Sequence, residues 1–313
     1  MTTAFTFPGQ GSQAVGMGKA LADAYPAARA VFAEVDDALG QKLSDIVWNG
    51  PAETLTLTEN AQPALMAVSL AALRALEGEE IGIAKNAAYV AGHSLGEYSA
   101  LAAAGSLGIA DTARLLRIRG RAMQAAVPVG AGAMAALIGL DAAAAKEVAD
   151  AAAEGEVCGV ANDNGGGQVV ISGAKAAIDR AVEIAKAKGA RRAILLPVSA
   201  PFHCALMAPA AEAMRAALAD VTVHAPVVPL VANVVAGPIS DPDEIRRRLV
   251  EQVTGMVRWR ESIAWLAGAG VTVFAEIGAG KVLSGLARRI AEGAETINVG
   301  TPEDIAAAVA KLG

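Results

Sequence analysis

The pentapeptide "GHSLG" at residues 92–96 constrains the fold more than any other part of the sequence. The apolar run "AAYVAG" leads into it and an amphipathic segment follows, so the pentapeptide joins a predicted strand to a predicted helix. A G-x-S-x-G pattern in this context is typical of a nucleophile elbow. Gly92 and Gly96 fit such a turn because strand and helix approach closely there. Ser94 is therefore the candidate nucleophile, with an ordinary helix N-cap as the alternative.

Short apolar strands alternate with longer helical patterns on either side of this turn. Such alternation predicts an α/β fold built on a parallel sheet. The predicted strands are "TAFTF" near the start, "AAYVAG", "VTVFAEIG" (271–278) and "ETINV" (295–299). The predicted helices lie near 18–38, 61–77, 95–104, 111–126, 205–218, 242–253, 258–269 and 281–291.

Residues 127–198 follow a different pattern, strand-helix-strand-strand-helix-strand. This β-α-β-β-α-β order predicts a small ferredoxin-like domain inserted into the larger one. The large catalytic domain, expected to be α/β-hydrolase-like, would then comprise residues 1–126 and 199–313. A cleft between the two domains is where we expect a ligand to bind.

Composition limits the classes of partner. The formal net charge of −6 argues against nucleic acid as a partner, and no apolar run is long and uninterrupted enough to predict a membrane span. Cys158 and Cys204 show neither metal-ligand nor disulfide spacing, and the N-terminus resembles no secretion signal. We therefore expect a cytoplasmic protein with no metal site. Local basic clusters at 186–192, 246–248 and 287–289 are either solvated helix faces or a docking patch for an acidic partner.

A serine nucleophile needs a base, and the chain has only 3 histidines. His93 is adjacent to Ser94, and consecutive side chains on such a turn point apart. His224 lies in a proline-flanked stretch that is as typical of surface as of a site. His203, between a predicted strand and a predicted helix, is the best candidate by elimination. No aspartate stands out as its partner, so a Ser–His dyad with a backbone carbonyl orienting the imidazole fits better than an esterase triad.

Seven collinear segments together resemble the malonyl-CoA:acyl-carrier-protein transacylases, the acyltransferases of fatty-acid synthesis. The resemblance covers the whole chain, and it is the order of the motifs that makes it specific. The segments are "FPGQGSQ" (7–13), "ENAQPAL" (59–65), "GHSLGEYSAL" (92–101), "RGRAMQ" (119–124), "PVSAPFHCALM" (197–207), "EQV…VRW" (251–259) and "EIGAGKVLSGL" (276–286).

The resemblance implies roles for individual residues. Ser94 would be the nucleophile and His203 its general base and acid. The backbone N–H groups of Gln10 and Leu95 would form the oxyanion hole. Gln252 would orient His203 through its main-chain carbonyl.

Arg119 would hold the free carboxylate of the malonyl group. A guanidinium offers a planar fork of donors that matches a carboxylate, and a neutral acetyl group would leave it unpaired. Helical spacing alone does not choose among the four arginines of the segment 111–126, so this choice rests on the resemblance. Phe202 would favour malonyl over branched acyl groups, since a methyl branch would meet its ring; the alternative is an ordinary core residue.

The implied activity is transfer of a malonyl group from malonyl-CoA to the phosphopantetheine thiol of an acyl carrier protein. The reaction would be ping-pong, through a malonyl-serine, and would need no metal or redox cofactor. Three alternatives remain open at this point: a serine thioesterase, the malonyl-transferring subunit of a malonate decarboxylase complex, and a non-enzymatic carrier-protein docking module.

Overall fold

The computed structural model describes all 313 residues and contains two separate β-sheets. The first sheet has six strands and the second has four. The strands are β1 Thr3–Phe7, β2 Tyr89–Gly92, β3 Gly132–Ile138, β4 Cys158–Asp163, β5 Gln168–Ala174, β6 Arg192–Leu195, β7 Leu230–Ala232, β8 Gly237–Ile239, β9 Val273–Ile277 and β10 Glu295–Val299.

Helices cover both faces of the large sheet and one face of the small one. None combines the length and the apolar character needed to cross a lipid bilayer. The helices are α1 Lys19–Ala24, α2 Pro26–Leu39, α3 Leu43–Asn49, α4 Ala52–Thr56, α5 Thr58–Gly78, α6 Ile83–Asn86, α7 Gly96–Ala103, α8 Ile109–Ala125, α9 Ala142–Ala153, α10 Lys175–Ala187, a 3-10 turn at Ala205–Met207, α11 Ala208–Ala219, α12 Pro242–Thr254, α13 Trp259–Gly268, α14 Val282–Ile290 and α15 Pro302–Leu312.

The large sheet has the strand order β10-β9-β1-β2-β7-β8. All neighbouring pairs are parallel except β7 and β8, which form an antiparallel edge. Strand β1 is buried along its whole length, as expected for the centre of a sheet with helices on both faces. The predicted α/β class is confirmed, and the sheet is mixed rather than entirely parallel.

The carboxyl ends of β1 and β2 determine where a site can form. In the register of this pair, Phe7 lies opposite Gly92, so both strands end at the same edge of the sheet. Loops that leave the carboxyl ends of parallel strands line a crevice, which is the usual ligand position in such folds. The loop after Phe7 and the turn around Ser94 are therefore neighbours.

The small sheet is antiparallel, with the order β4-β5-β3-β6. Helices α9 and α10 pack on one face, where alanines and aliphatic side chains such as Leu137, Val148, Ile171 and Ile178 form a separate core. The element order and the pairing are those of the ferredoxin-like arrangement predicted from the sequence.

Several features of the large domain differ from the sequence-based expectation, including the short helices α3, α4 and α6, which were not predicted. The helix predicted over 18–38 is divided at Tyr25, because Pro26 begins a new helix and cannot continue the previous one. Strands β7 and β8 were not predicted. Each has only 3 residues, and β8 contains Pro238, so neither shows a usable alternation of apolar and polar side chains.

Candidate active site

The turn between β2 and α7 is a nucleophile elbow. Ser94 adopts a φ of 54°, in the left-handed region that non-glycine residues rarely occupy. A Cβ at Gly92 would lie 1.9 Å from the carbonyl oxygen of Gly96, and one at Gly96 would lie 2.2 Å from that of Phe7. Glycine at both positions is therefore a steric requirement of the turn.

Ser94 and His203 form a hydrogen-bonded pair although they are 109 residues apart. The Oγ of Ser94 lies 2.8 Å from Nε2 of His203, and Nδ1 of His203 lies 2.9 Å from the main-chain carbonyl oxygen of Gln252. A carbonyl oxygen can only accept, so Nδ1 carries the proton and Nε2 presents its lone pair to the hydroxyl. No carboxylate contacts the imidazole, as the dyad hypothesis predicts.

The environment of His203 keeps its imidazole neutral. Burial, together with the positive charge of Arg119, lowers the pKa of His203 to about 3. The backbone of His203 has a φ of 57°, so both members of the dyad occupy the left-handed region. Such local strain is found where the surrounding structure fixes a residue for function.

The other two histidines lie elsewhere. Nε2 of His93 is 2.9 Å from Oδ1 of Asn164, which follows strand β4 of the small sheet. Its ring packs 5.5 Å from that of Trp259, and burial lowers the pKa of His93. His224 is exposed. Elimination from the sequence alone therefore selected the histidine that contacts Ser94.

Two backbone N–H groups beside Ser94 are free to bind an oxyanion. The N–H groups of Gln10 and Leu95 make no hydrogen bond within the protein, and both residues line the cleft. The N–H of Ser94 itself donates to Oδ1 of Asn233 at 2.8 Å and is not available. Gln10 and Leu95 therefore each have an unpaired backbone donor at the cleft that contains Ser94.

Arg119 is a fully buried cation, 1% exposed, whose guanidinium contacts the hydroxyl of Ser94. One terminal nitrogen, Nη2, donates to Oγ of Ser94 at 3.1 Å and to Oε1 of Gln252 at 2.8 Å. The other, Nη1, donates to Oε1 of Gln62 at 2.7 Å. Its Nε has no partner, and the guanidinium carbon lies 5.7 Å from the centre of the Tyr98 ring. Burial lowers the pKa of Arg119, but guanidinium stays charged in proteins.

The other arginines of α8 do not reach the site. Arg114 and Arg121 are exposed and pair with carboxylates on the surface. Arg117 is buried but donates to Asn60 and lies near Glu59. Of the four arginines that the sequence could not separate, only Arg119 contacts Ser94.

A cavity of about 340 Å³ opens above Ser94, between the two sheets. The large domain supplies its polar floor, and the small domain and its return segment supply an apolar roof that includes Met134, Leu196 and Val198. Phe202 is partly buried, packs against the core and lines this cavity, so both expectations for it remain compatible with its position.

Two polar residues beneath the elbow, Asn233 and Glu97, escaped the sequence analysis, and Gln252 has a side-chain role there in addition to the predicted main-chain one. The side-chain amide of Gln252 donates to the carbonyl oxygen of Ser94 at 2.9 Å, and Asn233 bonds its N–H. Both also bind Glu97, which accepts from the Asn233 N–H at 2.9 Å and from the Gln252 amide. Burial raises the pKa of Glu97 to about 7. Glu97 had one available signal, its position three residues after Ser94, in the first turn of helix α7.

Gln62 also escaped notice as a site residue, although it lies in the segment "ENAQPAL" that carries part of the resemblance. Its partner Arg119 is 57 residues away, and nothing local marks the contact.

The chain was compared with known families and proteins. Residues 4–301 match the family described as the acyl transferase domain. The malonyl CoA-acyl carrier protein transacylase of Bacillus subtilis (strain 168) is 48% identical over 310 residues, covering 99% of this chain and 96% of the relative. The enzyme of the same name from Escherichia coli (strain K12) is 47% identical over 306 residues, covering 98% of both chains. The family resemblance inferred from the motifs is thereby confirmed.

Solved structures agree with these matches. An acyl-carrier-protein-S-malonyltransferase from Bartonella henselae superposes with a TM-score of 0.98 at 61% identity and full coverage of both chains. A second match comes from the structure of a type II PKS acyl-carrier protein in complex with its malonyl-transacylase. Its TM-score is 0.96 at 41% identity, with 99% of this chain and 100% of that chain covered.

Proposed function

The chain belongs to the acyl transferase domain family, and from this premise we propose that it transfers the malonyl group of malonyl-CoA to the phosphopantetheine thiol of an acyl carrier protein, supplying fatty-acid biosynthesis. The proposal rests on one observation: two functional side chains contact the same hydroxyl oxygen. Oγ of Ser94 lies 2.8 Å from the imidazole of His203 and 3.1 Å from the guanidinium of Arg119. A nucleophile, its base and a carboxylate-binding group are thus within reach of one small acyl chain.

In the first half-reaction, Oγ of Ser94 attacks the thioester carbonyl carbon while Nε2 of His203 takes the hydroxyl proton. The oxyanion that develops is bound by the free N–H groups of Gln10 and Leu95. The C–S bond then breaks, and the proton on His203 passes to the sulfur. CoA leaves as the thiol, and the malonyl group stays on Ser94 as an ester.

Arg119 gives this step its selectivity. The malonyl carboxylate pairs with a guanidinium that is already buried and has no carboxylate of its own in contact. An acetyl group offers no such charge, so it leaves the cation uncompensated and binds less well. Phe202, at the wall of the cavity, restricts branching next to the carbonyl.

In the second half-reaction the phosphopantetheine thiol takes the place of CoA. His203 removes the thiol proton, the sulfur attacks the ester carbonyl, and the proton returns to Oγ of Ser94 as the C–O bond breaks. The apolar roof limits the access of water while the ester waits for its acceptor. This is what distinguishes the proposed transferase from a thioesterase with the same dyad.

The proposed chemistry needs neither metal nor redox cofactor, since serine, imidazole and backbone donors supply every step. Full activity in the presence of a metal chelator tests this point. We also propose a cytoplasmic location, for which the two free cysteines, Cys158 and Cys204, are the supporting observation. Cell fractionation tests it.

Intact-mass spectrometry tests the proposed function directly. Incubation with malonyl-CoA should add one malonyl group to the protein, and holo acyl carrier protein should then remove it and gain the same mass. Steady release of free malonate without an acceptor would indicate a thioesterase. A malonyl-enzyme that transfers only to the carrier subunit of a malonate decarboxylase would assign the chain to that complex instead.

A further inference from the structure

The buried guanidinium of Arg119 touches no anion in the structure. Its hydrogen-bond acceptors are the amide oxygens of Gln62 and Gln252 and the hydroxyl of Ser94, all neutral, and the Tyr98 ring lies beside it. Removing a cation from water without a compensating anion is costly. A negative charge that compensates Arg119 therefore has to come from the next layer of side chains.

Glu97 lies in that layer and is 1% exposed. The side-chain amide of Gln252 bridges the two charges: its oxygen accepts from Nη2 of Arg119 at 2.8 Å, and its nitrogen donates to Glu97. Glu97 also accepts from the backbone N–H of Asn233 at 2.9 Å. The carboxylate is thus linked to the guanidinium through one amide, and Arg119 also lines the cavity that contains Ser94.

We propose that Glu97 is the internal counter-ion of Arg119 and that it takes up a proton from solvent when the malonyl carboxylate binds Arg119. The inference rests on the proposed function, because it requires a malonyl group on Ser94. With the cleft empty, one cation faces one carboxylate. Malonyl loading brings a second carboxylate into the same buried volume, and two carboxylates sharing one cation raise the pKa of one of them.

Few other charges act on Glu97. Helix α7, which carries it, packs against β1, β2, β7, α5 and α8. Strands β1, β2 and β7 contain no Asp, Glu, Lys, Arg or His, and the charged residues of α5 are near its ends. Arg119 on α8 is the charged group facing Glu97, and Tyr98 and His203 are the other titratable groups of the cluster.

The direction of the effect follows from the pKa of Glu97, which burial raises to about 7 in the empty protein. Near pH 7 the carboxyl is then partly protonated, and loading drives it toward full protonation, so each malonyl-enzyme formed takes up a fraction of a proton. The equilibrium constant for loading should fall as the pH rises above 7, since the loaded state binds more protons.

Proton uptake can be measured with an indicator dye in weakly buffered solution at pH 7 during the burst of malonyl loading. Intact mass gives the fraction of malonyl-enzyme in the same samples. We expect uptake of a fraction of a proton per malonyl group bound, and none per acetyl group when acetyl-CoA is the donor. Glu97→Gln should abolish the uptake, and Glu212→Gln, at an exposed position of α11, should leave it unchanged.

Loading without proton uptake would overturn this inference and leave the proposed function intact, whereas absence of loading would contradict the function itself. Equal uptake with acetyl-CoA, or uptake that persists in Glu97→Gln, would assign the proton to another group and also overturn it. If Glu97→Gln does not fold, comparing malonyl with acetyl loading in the unaltered protein still tests whether proton uptake requires the malonyl carboxylate.

Discussion

The floor and the roof of the cleft differ in the polarity of their side chains. The floor, in the large domain, is a network of buried polar side chains around Ser94 that hydrogen-bond to one another, among them Asn233, Gln252 and Glu97. The roof is apolar, and polar contacts attach its β4 end to the floor. These contacts are a backbone bridge between Asn162 and Val257, the ion pair of Asp163 with Arg260 at 2.7 Å, and the His93–Asn164 hydrogen bond.

In the proposed reaction, this difference assigns bond making to the floor and water exclusion to the roof. The floor fixes the reacting atoms, so changes there should alter the rate at which the acyl-enzyme forms. The roof covers the ester once it exists, so changes there should alter its fate. A hydrolase could use the same floor under a looser roof.

The largest expected effect is at the nucleophile. Ser94→Ala should lower CoA release from malonyl-CoA by at least about 10⁴-fold and abolish the covalent adduct, because no other oxygen is paired with His203. Ser99→Ala is the matched control, since Ser99 lies on helix α7, directly after the turn that carries Ser94, and its hydroxyl makes no hydrogen bond. Retention of a malonyl adduct in Ser94→Ala would mean that the nucleophile is elsewhere.

The base comes next. His203→Ala should slow malonyl loading by about 10³-fold, the range of a lost general base, as measured by the pre-steady-state burst of CoA. His224→Ala, at an exposed position, should have no effect. A burst of normal rate in His203→Ala would remove the imidazole from the mechanism.

Arg119→Ala should act on selectivity. Losing a buried charged partner of a carboxylate costs roughly 2–5 kcal/mol, so the ratio of malonyl to acetyl loading should fall by roughly 10²-fold. Arg121→Ala, on the exposed face of the same helix, is the control. An unchanged ratio of the two kcat/KM values would exclude Arg119 as the carboxylate-binding group.

A change in the roof should have a smaller and qualitatively different effect. Asn164→Ala removes the hydrogen bond to His93, worth about 1 kcal/mol, and should increase hydrolysis of the malonyl-enzyme roughly fivefold with little change in its formation. Asp150→Ala, on the exposed side of α9, is the matched substitution. If Asn164→Ala slows loading and spares the lifetime of the ester, the division between floor and roof is wrong.

The smallest effect concerns pH. A histidine with the ordinary pKa near 6.5 would lose about eightfold of its neutral form between pH 7 and pH 5.5. Burial and Arg119 lower the pKa of His203 to about 3, so the base stays neutral throughout this interval. The value of kcat/KM for malonyl loading should therefore fall by less than about twofold. An acid limb near pH 6.5 would show that His203 titrates normally.

Sequence patterns predicted most of the fold, for a physical reason. Strands such as Thr3–Phe7 and Glu295–Val299 are bounded by turns and carry their own apolar signal, and the β-α-β-β-α-β order is visible without the structure. Strand Leu230–Ala232 carries no such signal. It exists because β2 offers a free edge, which is a tertiary and not a local cause.

The site divides in the same way. Ser94 was found because its turn leaves a local mark in the glycines around it, and His203 because the chain contains so few histidines. Asn233, which fixes the backbone of Ser94 from 139 residues away, leaves no local mark. Choosing Arg119 over its neighbours required the family resemblance, since all four arginines occupy plausible positions on one helix.

The left-handed backbone at residues 94 and 203 has a consequence for how this protein tolerates change. Both are positions where glycine would relax the chain, and forced geometry of this kind costs about 1–3 kcal/mol at each residue. Selection for thermal resistance alone would therefore favour replacements at the two residues that the reaction can least spare. Substitutions that raise the thermal stability of this fold should therefore be sought at other positions, with residues 94 and 203 left unchanged.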